Sequence, residues 1–227
     1  MIALVLAFAA AGADATPAAS LLGPKDIVSS LVLPPPPAPR SAEARSEREE
    51  LVIVERSRSA SELAAAKNDG ATKDASIFRE AIGPAFELER LPQTALLMTM
   101  VRSSEKAAAD RAKAYFKRPR PWISNPDIHA CSREDDALSS YPSGHTTMAY
   151  SMGAILSRLI PERAPLIMGR AARYAQSRII CEVHYRSDVT AGEALGLIVA
   201  ERLMEKPEFR DQFNRARAEL IDNHLIS

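Results

Sequence analysis

A chain of 227 residues, 46% hydrophobic and 26% charged, is long enough to bury one sizeable core, and a single domain is the default expectation. Its 29 Lys and Arg balance 29 Asp and Glu, and a formal charge of zero excludes the broad basic footprint of a nucleic-acid binder. Cysteine is scarce, with only Cys131 and Cys181.

The chain opens on MIALVLAFAAAGADATP, an apolar run followed by small residues at Ala11, Ala13 and Ala15. This pattern predicts a signal peptide over residues 1–15, cleaved after Ala13 or Ala15, with a retained anchor as the alternative. The run is short for a spanning helix, and the best later candidate, VTAGEALGLIVAERLM, is interrupted by Glu193 and Glu201. The mature domain, residues 16–227, is therefore expected to be exported to the periplasm without stable membrane insertion. Pro34 to Pro37 and Pro39 then deny helix and predict an extended linker.

Helical periodicity begins at about Glu47 and runs to Asp69, where DGATKD, containing Gly70, predicts a break. A second helical run, Ala75 to Arg90, carries Gly83-Pro84 as a kink or break. A third, from about Thr94 to Tyr115, sets Leu96, Leu97, Met100 and Val101 on one face. Between Pro119 and Tyr141 the prolines enforce a loop, the kind of segment in which binding groups gather. Four more helices are expected at His145–Leu159, Ala164–Ile180, Asp188–Met204 and Pro207–Ile221. No convincing β-alternation appears, so the fold class is all-α.

Three short blocks carry chemistry. In SRIICEVHYRSD, His184 and Asp188 stand four apart behind Arg178, so that a carboxylate can hold one imidazole nitrogen and leave the other free to attack an electrophile. Taken alone, Asp188 reads equally well as a helix N-cap. In YPSGHTTMAYSMGAILSRLI, Ser143, Gly144 and His145 precede an apolar run of helical period, which puts their backbone N–H groups at an anion-favouring helix start. Upstream, Lys113 and Arg120 stand seven apart; counting back seven from Arg118 lands on Arg111 instead, so Lys113 with Arg120 is the register adopted.

The ordered triple K-x6-RP, PSGH and SR-x5-H-x3-D resembles the signature of the type 2 phosphatidic acid phosphatase superfamily. That superfamily includes bacterial class A non-specific acid phosphatases, membrane lipid phosphatases and vanadium haloperoxidases. The segments LPPPP, FREAIG, RAKAYFKRPRPW, SYPSGHTT, SRIICEVHYRSDV and KPEFRDQFNRARAEL look like class A features in the same order. Glu182 and Tyr185 depart from the Gly and Trp common beside the nucleophile.

The resemblance implies a compact helical domain around a core bundle with the active site at one end, and a metal-independent acid phosphatase that needs no cofactor. His184 would attack phosphorus to give a phosphohistidine, Asp188 would orient it, and His145 would serve as acid and then base. A phosphate dianion also needs cations and N–H groups about its oxygens. Lys113, Arg120 and Arg178 supply the cations, and Ser143 and Gly144 the hydroxyl and N–H groups. The implied partners are small phosphomonoesters, with no nucleic acid; a homo-oligomer is left open.

Cys131 and Cys181 flank blocks that must converge, so a disulfide is expected in an oxidising compartment, with two free thiols as the alternative. Lys117 and Arg118 are expected to be a solvated or loop-bonding pair, His129 and His224 to lie at the surface, and Trp122 to pack the loop. A vanadium-dependent haloperoxidase-like protein and a non-catalytic phosphate-binding protein are the competing functions.

Overall fold

The computed structural model describes residues 19–226; the leader expected over residues 1–15 lies outside them. In chain order come α1 (Ser29–Val32), α2 (Ala42–Ser57), α3 (Ala60–Ala71), a 3₁₀ turn (Ala75–Phe78) leading into α4 (Arg79–Ile82), a second 3₁₀ turn (Leu88–Arg90), α5 (Pro92–Phe116) and α6 (Pro121–Ser124). Then follow α7 (Gly144–Leu159), a 3₁₀ turn (Pro161–Arg163), α8 (Ala164–Ile180), α9 (Arg186–Met204) and α10 (Pro207–Asp222). No strand occurs among the described residues, so the fold is all-α, and none of their helices is long and apolar enough to cross a membrane.

Helix α7 is the central element. Eleven of its sixteen residues are buried, from Thr146 to Leu159, and α5, α8 and α9 surround it. Its crossing with α9 depends on two glycines one turn apart on α9. A Cβ at Gly192 would lie 2.6 Å from the Ser143 carbonyl oxygen, and one at Gly196 would lie 2.7 Å from that of Thr147. Hydrogen in place of a side chain therefore lets the two backbones touch, and the contact sets the start of α7 beside the start of α9, where His184 and Asp188 stand. The start of α5 is capped from outside: Glu219 of α10 accepts from the N–H groups of Gln93 and Thr94, both at 2.8 Å.

Several local details differ from the sequence reading. The helix expected over residues 47–69 is two helices, because Ser59 starts a new one: its hydroxyl accepts from the Glu62 N–H, and the Glu62 carboxylate accepts from the Ser59 N–H at 2.8 Å. This S-x-x-E capping box is a legible start signal inside an otherwise continuous pattern. The break expected in DGATKD does fall there, with α3 ending at Ala71, one residue past Gly70. The Pro-rich segment is fastened rather than free, since the Tyr141 hydroxyl donates to the Pro34 carbonyl at 2.6 Å. The following Tyr141–Pro142 peptide is cis. One helical turn, α6, interrupts the loop before Tyr141.

Cys131 and Cys181 are bridged, which joins that loop to the end of α8. Closing a span of 50 residues limits the unfolded chain. Replacing both cysteines with Ser is expected to lower the unfolding free energy by about 2–5 kcal/mol in a urea titration. An unchanged midpoint would show that the bridge adds nothing to stability.

Candidate active site

The N-terminus of α7 supplies the floor of the site. Ser143 is its N-cap, with Oγ accepting from the N–H of Thr146 and, at 3.0 Å, from the Thr146 hydroxyl. The Ser143 N–H donates to the Asp188 carbonyl at 2.9 Å. That N–H is thus spent on tying α7 to α9, which corrects the expectation that it would join the Gly144 N–H in binding a ligand. The N–H groups of Gly144 and His145, in the first turn, have no acceptor within their own helix. Lys113, near the end of α5, reaches the same spot: a Cβ on Gly144 would lie 3.3 Å from its Nζ.

Arg120 and Arg178 are both buried, and each is aimed by backbone acceptors. Arg178 donates to the Ala66 carbonyl of α3 at 2.6 Å, with its guanidinium against Gly70, where a Cβ would lie 2.8 Å from Nη1. Arg120 donates through Nη1 to the Val183 carbonyl at 2.8 Å and to His184 Nε2 at 3.0 Å. A guanidinium can only donate, so Nε2 must accept, and the proton of the neutral imidazole sits on Nδ1. Nδ1 lies 3.5 Å from Asp188 Oδ2 and makes no hydrogen bond among the described residues. The Asp188 carboxylate is already engaged: Oδ1 accepts from Arg118 at 2.6 Å, and Oδ2 from the Ser140 hydroxyl at 2.6 Å and the Tyr185 N–H at 2.8 Å.

Burial, with the crowding of like charges behind it, accounts for the electrostatics. Burial, followed by the cations of Arg120 and Lys113, holds His184 well below the ordinary imidazole range. Burial and then Arg178 push His145 down to about 3, against the opposing hydrogen bond of its Nε2 with the Gly70 carbonyl at 3.2 Å. Lys113 is lowered by burial and by Arg120. A dianion set among these groups would reverse the repulsive part of each shift.

Two adjoining cavities meet at His145. One is lined by Lys113, Arg120 and Gly144, the other by Arg178 and His184. The structure therefore gathers Lys113, Arg120, Gly144, His145, Arg178 and His184 at one place, with Ser143 and Asp188 fully buried. Among the described residues, no group of three or more His, Cys, Asp or Glu is assembled as a metal cage.

Sequence reasoning misses the roles of three groups here. Arg118 is neither solvated nor loop-bound: it is buried, pairs with Asp188 and with Glu47 of α2 at 2.7 Å, and lies 4.4 Å over the Tyr185 ring. Ser140 is a further donor to Asp188. Asp135, in the acidic run SREDD, lines both cavities and sits 3.0 Å from Arg120 Nη2. Burial would raise its pKa, but Arg120, then His184 and Lys113, outweigh that and hold it below the usual range. Its carboxylate thus competes with any other anion for Arg120. Asp135→Asn is expected to tighten binding of inorganic vanadate by about threefold to fivefold, the scale of a half-exposed ion pair. Weaker binding would give Asp135 a supporting role instead.

Glu182 adopts φ 54°, a conformation suited to the Gly common there in the resembled family, and its buried carboxylate pairs with Arg58 at 2.9 Å and accepts from the His129 N–H at 2.8 Å. The imidazole of His129 is exposed, as expected, and so is His224. Trp122 is buried, with the Arg120 guanidinium 5.5 Å from its ring centre.

A profile of the PAP2 superfamily matches residues 94–210. The chain is 34% identical over 159 residues to the non-specific acid phosphatase of Salmonella typhi, covering 67% of this chain and 63% of that protein. It thus spans a little under two thirds of that relative's length. With the acid phosphatase of Zymomonas mobilis it shares 31% identity over 197 residues, covering 84% of this chain and 74% of the relative. Among solved structures, a transmembrane PAP2-type phosphatidylglycerolphosphate phosphatase from Bacillus subtilis aligns at TM-score 0.54 and 18% identity, over 72% of this chain and 85% of that one. At that identity the likeness concerns the fold alone.

Proposed function

We propose, on the premise that this chain belongs to the PAP2 superfamily, that it is an acid phosphatase hydrolysing small phosphomonoesters through a phosphohistidine, without a metal. The observation that carries this reading is the hydrogen bond from Arg120 to His184 Nε2. It leaves a buried, neutral imidazole with its lone pair directed at a guanidinium, which is where a phosphoryl oxygen would bind.

Lys113, Arg120 and Arg178 and the N–H groups of Gly144 and His145 would surround the phosphoryl oxygens, supplying the charge that a metal supplies elsewhere. Nε2 of His184 attacks phosphorus, and the bond to the ester oxygen breaks. His145 delivers its proton to that oxygen as it leaves. Water then attacks the phosphohistidine, giving up a proton to His145 and releasing inorganic phosphate. Asp188 faces the Nδ1–H and offsets the charge that grows on the ring. His145 must enter protonated. With its pKa depressed to about 3 in the free site, it gains that proton only at low pH or once a dianion is bound, so turnover should favour acid conditions.

The bridge between Cys131 and Cys181 supports export to an oxidising compartment, here the periplasm. The test is rapid acid-free quenching of the EDTA-treated chain with ³²P-labelled phenyl phosphate. Full turnover and an acid-labile, base-stable label on the protein are expected; activity lost to EDTA, or no label, would overturn the mechanism.

A further inference from the structure

We propose that the cavity on the α5 side of His145 is the leaving-group subsite and that it selects small polyhydroxylated leaving groups, as in phosphate esters of glycerol or a sugar. This rests on the phosphatase reading and deepens it. In-line displacement places nucleophile and leaving oxygen on opposite sides of phosphorus. His184 lines one of the two cavities, so the leaving group points into the other, past His145, which lines both and can reach its oxygen.

That second cavity is small, at about 200 Å³, against roughly 300–1,000 Å³ for sites that take drug-sized ligands. Its far wall is one face of α5, where Arg102, Glu105, Lys106 and Asp110 follow at helical spacing on the side that also carries Lys113. Arg102 pairs with Glu105, and Lys106 with Asp110 at 2.5 Å. Hydroxyl groups, which both donate and accept, can bridge such pairs. No Phe, Tyr or Trp among the described residues lines this cavity, so a nucleobase or aryl group would find no broad aromatic face to stack on.

Glu105 is the group left unexplained by the fold. Its side chain is fully buried, and Oε2 has no hydrogen-bond partner among the described residues. An unpartnered polar atom of this kind costs stability unless something binds it. Burial, opposed by Arg102, pushes its pKa up to about 7, so under acid conditions it is a neutral carboxyl that can donate as well as accept.

The experiment compares kcat/KM for glycerol 1-phosphate and phenyl phosphate in the full chain and its variants. In Glu105→Leu the glycerol-to-phenyl ratio is expected to fall about tenfold, the cost of leaving a bound hydroxyl unpaired. Glu105→Gln, which keeps a donor and an acceptor, should restore most of it. Should Glu105→Leu fail to fold, Asp110→Ala on the exposed rim is expected to lower the same ratio about threefold. Ratios unchanged in the folded variants, or equal losses on both esters, would overturn the subsite alone. A wild-type chain inactive on both esters would overturn the phosphatase reading and this one with it.

Discussion

His184→Ala is expected to reduce phosphomonoester turnover to the uncatalysed background and to abolish the trapped phosphoenzyme. The ring stands alone in its role: its Nε2 is held by Arg120 at 3.0 Å, and it is almost fully buried, so water cannot substitute for it without moving into a space lined by cations. His145→Ala provides the contrast. It removes a proton carrier and leaves the nucleophile, so the loss should be about 10² to 10⁴ on alkyl phosphates, whose alkoxide must be protonated to leave. The loss should be smaller on p-nitrophenyl phosphate, whose phenolate leaves unaided. A phosphohistidine still formed in His184→Ala, or equal losses on both leaving groups in His145→Ala, would reverse the assignment of the two histidines.

Arg118→Met should destabilise the fold by about 3–5 kcal/mol, read from urea unfolding at neutral pH, because it strands two buried carboxylates at once. Arg118 donates to Asp188 at 2.6 Å and to Glu47 at 2.7 Å, and all three are buried. Glu47 in turn accepts from the Ser187 N–H at 2.6 Å, so the ion network anchors the start of α9 to α2. Removing one partner leaves uncompensated charge, which costs more than the intact network contributes over an apolar replacement. A second change, Glu47→Gln in the Arg118→Met background, should recover part of the loss by discharging one stranded group. A loss below about 1 kcal/mol for the single variant would mean that water or relaxation solvates the carboxylates.

Local chemistry accounts for much of what is legible in the chain. Helix α8 spans Ala164–Ile180 and α10 starts at Pro207, as periodicity and the first-turn proline predict. Lys113, Arg120, His145, Arg178 and His184 are found because each stands at fixed spacing inside a block, and the structure gathers them about two adjoining cavities. The break between α2 and α3 is written as S-x-x-E, a short signal that a longer apolar rhythm outweighs when the pattern is read by eye.

Other features exist only once the chain is folded. Ser143 lends its N–H to Asp188 rather than to a ligand, because Gly192 and Gly196 bring α9 into backbone contact with α7. Arg118 and Arg120 are alike in sequence, each an Arg before a Pro, yet one faces Asp188 and Glu47 while the other faces His184. Asp135 and Glu105 carry no motif at all. Helix formation and the spacing of blocks follow from interactions within a few residues, so they can be read along the chain. The partner of a buried charge is chosen by which helices cross and how closely, and Arg118 meets Asp188 across 70 residues of sequence.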